Sequence, residues 1–187
     1  MVELTALWLP ILLSGVVVFF ASFIMWMVMP HHRSDWAKLP SEDAALDALR
    51  KSGVDAGQYS FPHCSDKQQM KDPAWVKRWE DGPSGFLVVR KSGPMNMGKS
   101  MGISFLHNLF VALLIAYLAS VMLPAGADYM IVFRVVSTAA FLAFSGAVAL
   151  NSIWFEQSWS SSIKHMVDGL VYALLVAGIF AWLWPAA

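Results

Sequence analysis

Charge is what this chain has least of. Asp, Glu, Lys and Arg make up 14% of its 187 residues, where a soluble domain carries about 25%. The shortfall is local: no charged side chain occurs between Leu4 and His32, and none from Gly169 to the end. Formal net charge is zero, so the basic balance of a nucleic-acid-binding domain is missing and no nucleic-acid partner is expected. Cysteine is nearly absent as well. Cys64 stands alone, which excludes an intramolecular disulfide and fits a reducing compartment. Signatures of catalysis are not read in it. The serines at 160–162 carry no nucleophile elbow, and Cys64 has no acidic third partner in reach by sequence. Neither a phosphate-binding loop nor a dinucleotide fingerprint is expected. The chain is therefore expected not to be an enzyme, and its sequence names no cofactor.

Apolar residues take the place of charge: 57% of the chain is hydrophobic, with nine Trp. They gather in runs at Leu4–Met29, Ile103–Leu123, Tyr129–Leu150 and Met166–Pro185. Each approaches the roughly 20 residues a helix needs to cross a bilayer. A secretory signal would open with positive charge before a short apolar core. The chain instead opens MVELTA, with Glu3, and its first Lys or Arg follows the run. That run reads as a retained helix with a translocated N-terminus. The expected fold is an all-α membrane protein, four transmembrane helices with a small α/β extramembrane insert between helices 1 and 2. Its expected parts are the first span at 1–29, a cytoplasmic insert at 30–102, and a three-helix bundle at 103–187.

Of the 13 Lys and Arg, 11 lie between Pro30 and Gly102, and Lys164 sits between the third and fourth runs. Such bias marks the cytoplasmic side, which places the insert and the Lys164 turn inside and both termini outside, in a bacterial inner membrane. Arg134 can snorkel to the outer headgroups. Tryptophan gives a second guide, since it favours the interfaces. Trp8, Trp182 and Trp184 fall at the outer interface, and Trp26, Trp154 and Trp159 at the inner one.

Local signals give the insert an order of helix, strand, helix, strand. Ser41 stands before Glu42 and Asp43, an apolar stripe follows, and Gly53 ends it, the marks of a capped helix. Asp72-Pro73 opens a second helix ending near Gly82. GQYSF (57–61) and GFLVV (85–89) read as short strands. So small a unit buries little core alone and is expected to lean on the bundle or a partner.

Within the spans, small residues recur every four positions. They are Ser104, Asn108, Ala112, Ala116 and Ser120 in the second run, and Ala139, Ala143, Ala147 and Asn151 in the third. In the fourth they are His165, Gly169, Ala173, Ala177 and Ala181. This spacing lets helix backbones approach closely and predicts a tight bundle of the last three spans. Polar groups at membrane depth are functional candidates. His107, Asn108, Asn151, His165 and Asp168 all approach the inner leaflet. Lys164 and Asp168 share a helix face and are expected to pair. A proton-linked or ligand-binding site would use His107, His165 and Asp168. A zinc or copper site would draw on His31, His32, His63 and Cys64, although adjacent residues point in different directions and no ligand spacing is present. His107 is the one candidate for a haem or pigment ligand inside a span.

The stretch PHHRSDWAKLPSEDAALDALRKSGVDAGQYSFPHC (30–64) resembles the hallmark of a bacterial family of small four-helix integral membrane proteins. So do FRVVSTAAFLAF (133–144), NSIWF (151–155) and IKHMVDGLVYALLVAGIFAWLWP (163–185). The resemblance implies that the insert and the four helices form one unit. It implies no activity, cofactor or catalytic residue. The expected function is an accessory or scaffolding subunit of a larger bacterial membrane complex, respiratory or photosynthetic, with lipid and membrane-protein subunits as partners. The alternatives are a metal- or haem-binding membrane redox protein and a small proton-linked transporter.

Overall fold

The computed structural model describes residues 2–187. Four helices in it are long and apolar enough to cross a membrane: Leu4–Val28, Met97–Met122, Tyr129–Phe155 and Trp159–Trp182. The fold is an all-α membrane type with one small sheet. It divides into two compact units, Met1–Asp35 with Asn96–Ala187, and Trp36–Met95. The insert is thus shorter than the sequence suggests. Residues 30–35 belong to the helical unit because their side chains bond into the last span, and 96–102 belong to it because the second span begins at Met97.

The first span is α1 (Trp8–Phe23), entered through a 3₁₀ turn at Leu4–Leu7 and extended by a π-helical turn at Ile24–Val28. A second 3₁₀ turn, His31–Ser34, follows Pro30. In the insert, α2 (Glu42–Lys51), β1 (Gly57–Phe61), α3 (Pro73–Asp81) and β2 (Gly85–Val89) appear in the expected order. The strands pair antiparallel, with Gly57 opposite Val89 and Phe61 opposite Gly85. Asp72 caps α3 by accepting the Ala74 N–H at 3.0 Å. Ser41 precedes α2 but its hydroxyl makes no capping bond. Its ψ of 63° lies outside the extended basin that turns a capping oxygen back onto the first turn.

The remaining spans are α4 (Met97–Met122), α5 (Tyr129–Ser145) continued by α6 (Val148–Phe155), and α7 (Trp159–Trp182). The third span is therefore interrupted at Gly146-Ala147, where an unbroken helix was expected. A Cβ on Gly146 would lie 2.6 Å from the Leu142 carbonyl oxygen, so only glycine fits that junction.

All four spans share one bundle, not the last three alone. α7 packs along α5 and α1, and α4 packs on α1 and α5. Val2 N–H bonds Ser120 O at 3.2 Å, Gly126 N–H bonds Pro185 O at 2.8 Å, and Trp184 Nε1–H bonds Pro124 O at 2.9 Å. These bonds gather both ends of the chain and the α4–α5 turn at one end of the bundle. The His31–Ser34 turn and the start of α7 meet at the other end.

The expected small faces of α4 and α7 are buried over four of their five positions, Asn108, Ala112, Ala116 and Ser120 on one and Gly169, Ala173, Ala177 and Ala181 on the other, while Ser104 is exposed and His165 half-buried. The face expected on α5 is not. Ala139 is half-buried, Ala143, Ala147 and Asn151 are exposed, and the buried set is Val132, Val136, Ala140 and Ser145. Close approach needs room on one partner only. The small stripe of α7 supplies it, and branched valines of α5 fill it. Large apolar side chains such as Phe20, Leu106, Phe110, Leu142 and Trp182 point outward, as expected where lipid is the solvent.

Candidate functional site

The end of the bundle opposite the termini holds a buried polar cluster. Two local irregularities build it. The π-helical turn at Ile24–Val28 carries Trp26, and the 3₁₀ turn at His31–Ser34 carries two consecutive histidines. Adjacent residues do not diverge here: both rings reach one carboxylate. His31 Nε2–H donates to Asp168 Oδ1 at 3.1 Å, and His32 Nε2–H donates to Asp168 Oδ2 at 2.8 Å. The other side of the His32 ring donates from Nδ1 to Asp35 Oδ2 at 2.6 Å. Lys164 Nζ donates to the second Asp35 oxygen at 2.6 Å and to Ser34 Oγ at 2.8 Å. Trp26 stacks face to face on His32 at 3.9 Å, and His165 lies 5.1 Å from both rings.

The expected Lys164–Asp168 pair is not formed. Lys164 turns instead to Asp35, and Asp168 accepts from two imidazoles. The side chains of Asp35, His32 and Asp168 are each no more than 4% exposed. Carboxylates so placed must be paired, since unpaired burial costs several kcal/mol. Pairing also sets their proton affinities. Burial alone would lower the His32 pKa, but bonds to Asp168 and Asp35 outweigh it and raise it above its ordinary value. Burial likewise opposes the Asp35 charge, yet Lys164 and His32 hold its carboxyl down to about 2. Asp35 is thus held from one side by Lys164 and from the other by His32.

The other expected site residues fall elsewhere. His107 and Asn151 are exposed and lie outside the cluster. Asn108 is buried in α4, and its Nδ2 has no hydrogen-bond partner. His63 and Cys64 belong to the insert unit, where His63 Nδ1 meets Ser60 Oγ at 3.2 Å and the Cys64 thiol donates to Asp66 O at 3.0 Å. Among the described residues, two sets of three donor atoms lie within 4.8 Å of one another: His31, His32 and Asp168, and His32, Asp35 and His165. Of the expected set of four, His31 and His32 stand with Asp168 in the helical unit, and His63 and Cys64 belong to the insert unit. Trp8, Trp154, Trp159 and Trp182 are exposed near span ends, as interface anchors would be. Trp26 instead covers the cluster, and Trp184 ties the C-terminal end to the α4–α5 turn.

Sequence reasoning missed Asp35, Ser34 and Trp26 as members of the site. A signal existed. Lys164 and Asp168 are the only Lys, Arg, Asp or Glu of the last span, and HHRSD at the end of the first span offers both a carboxylate and imidazoles as alternative partners.

The expectation of no phosphate-binding loop also needs correcting, at the level of spacing. Gly93–Ser100 reads G-x-x-x-x-G-K-S, and Gly98–Gly102 reads G-x-S-x-G. Neither stands in the context its mechanism requires. The sheet before it has two antiparallel strands. Asn96 Oδ1 accepts the Lys99 N–H at 2.9 Å, so the start of α4 is capped by its own side chain. Ser100 lies inside α4. Among the described non-glycine residues only Glu156 has a positive φ, so Ser100 is on no strained elbow.

No family model, curated protein or solved structure matches the chain.

Proposed function

We propose that this multi-pass membrane protein is a non-enzymatic accessory subunit of a larger bacterial membrane complex, respiratory or photosynthetic, with the insert as its docking module. The observation that carries this reading is the insert's want of a core. Every residue from Trp36 to Met95 is exposed or half-buried. Trp36, Tyr59, Met70, Trp79, Phe86 and Val88 are each at least 40% exposed. A unit this small that buries so little has weak stability of its own, and apolar surface displayed outside a bilayer marks a site for another macromolecule. The bundle, by contrast, is closed at both ends by its own hydrogen bonds and ion pairs.

This reading takes the membrane to be the bacterial inner membrane. The insert and the Lys164 turn face the cytoplasm, and the termini face outward. The Lys and Arg bias supports that orientation.

Photo-crosslinking side chains placed at Trp79 and Val88 test the docking role. In membranes of the native cell they are expected to join the chain to one partner polypeptide. The native mass in mild detergent should exceed that of a single chain. A lone monomer with no crosslinked partner sinks the reading.

A further inference from the structure

We propose that His31, His32 and Asp168 bind one divalent transition-metal ion of the zinc class at the Lys164 end of the bundle. The site is independent of any partner subunit. Its donor atoms are already gathered. Both Nε2 atoms stand against the two oxygens of one carboxylate, at 3.1 and 2.8 Å. In a tetrahedral zinc site, with metal–ligand bonds near 2.0–2.2 Å, neighbouring donors sit about 3.3 Å apart. The two imidazole–carboxylate separations are within tenths of an ångström of that value, and all three donor atoms lie within 4.8 Å of one another.

The surroundings match what a ligating histidine requires. Metal-bound imidazoles give their other ring N–H to a carboxylate, which fixes the tautomer and the ring orientation. His32 does this, with Nδ1–H on Asp35 Oδ2 at 2.6 Å. Asp35 is itself held by Lys164 Nζ at 2.6 Å. Trp26 covers one face of the His32 ring and shields it from water. His31 offers Nε2 to the same point, but its Nδ1 is buried without a hydrogen-bond partner, so this support is present at His32 alone.

The competing set of His32, Asp35 and His165 is disfavoured by charge, because the Lys164 ammonium already occupies Asp35 and repels a cation there. Chemistry selects the ion. Calcium and magnesium ask for all-oxygen cages, and cuprous copper for sulfur. Two imidazoles and one carboxylate suit zinc or ferrous iron. Three protein ligands leave a fourth position for water. On binding, the metal displaces both Nε2 protons: His32 gives its proton to solvent and keeps Nδ1–H on Asp35, and His31 keeps one proton, now at Nδ1.

The test uses the full chain in mild detergent, purified on a tag without histidine and stripped with chelator. Zinc is titrated by calorimetry, and cobalt(II) is added as an optical reporter of imidazole–carboxylate coordination. One equivalent of zinc is expected to bind and to raise the unfolding temperature. His31→Gln should weaken binding at least about tenfold. The metal-free variant should still unfold in one cooperative transition, because the His32 bonds to Asp168 and Asp35 remain, so weakened binding there is not loss of the fold. A His63→Ala/Cys64→Ser double variant should bind as the parent does. Absence of saturable binding by the folded parent overturns the site. So does undiminished binding by His31→Gln, or loss of binding in the double variant.

Discussion

Asp35 is the residue on which the polar cluster turns. It joins a ring from one side and an ammonium from the other, so it ties the end of the first span to the start of the last. Hydrogen bonds to charged groups contribute about 1.5–3 kcal/mol each. Asp35→Asn is therefore expected to cost about 2 kcal/mol of stability, read from unfolding in detergent. Lys164→Met should cost a similar amount, since it leaves Asp35 with His32 alone. The double variant should cost less than the sum, with a coupling of about 0.5–3 kcal/mol. Simple additivity would show that the short Asp35–Lys164 contact contributes nothing to folding.

At the scale of elements, two glycines set how closely the spans approach. A Cβ on Gly15 of α1 would run into the side chain of Leu109 on α4, and one on Gly169 of α7 into the hydroxyl of Ser145 at the end of α5. Polar links reinforce the second contact: Ser152 and Ser162 share a buried hydrogen bond of 2.7 Å across α6 and α7. Gly169→Val is expected to destabilise the bundle by about 1–3 kcal/mol through overpacking. Gly178→Val is the control, because its Cβ would meet nothing within 4 Å, and it should stay within about 0.5 kcal/mol of the parent. Equal effects at the two sites would mean that helix propensity, not interhelix distance, governs both. The stripe at Gly169, Ala173, Ala177 and Ala181 was legible because its period matches the helix. The buried face of α5 was not, since sequence spacing cannot say which of two packed helices must be the small one.

For the whole molecule, four spans of alternating direction put both termini at one end of the bundle and the His31–Ser34 turn at the other. The single cysteine offers a clean probe of which end faces the cytoplasm. Cys64 is half-buried in the insert. A membrane-impermeant maleimide is expected to label it in inverted vesicles and to leave it untouched in intact spheroplasts. The opposite pattern would reverse the proposed orientation.

The sequence by itself determined that lipid is the solvent for four stretches, and it determined the order of elements in the insert. Those properties are additive along the chain: hydropathy sums over a span, and capping and turn residues act within a few positions. Only the tertiary structure decided that His31 and His32 converge on Asp168 and that Lys164 chooses Asp35. These choices depend on two irregular turns at the end of the first span and on its packing against the last. Such contacts cross more than 100 positions of chain, and no local period encodes them.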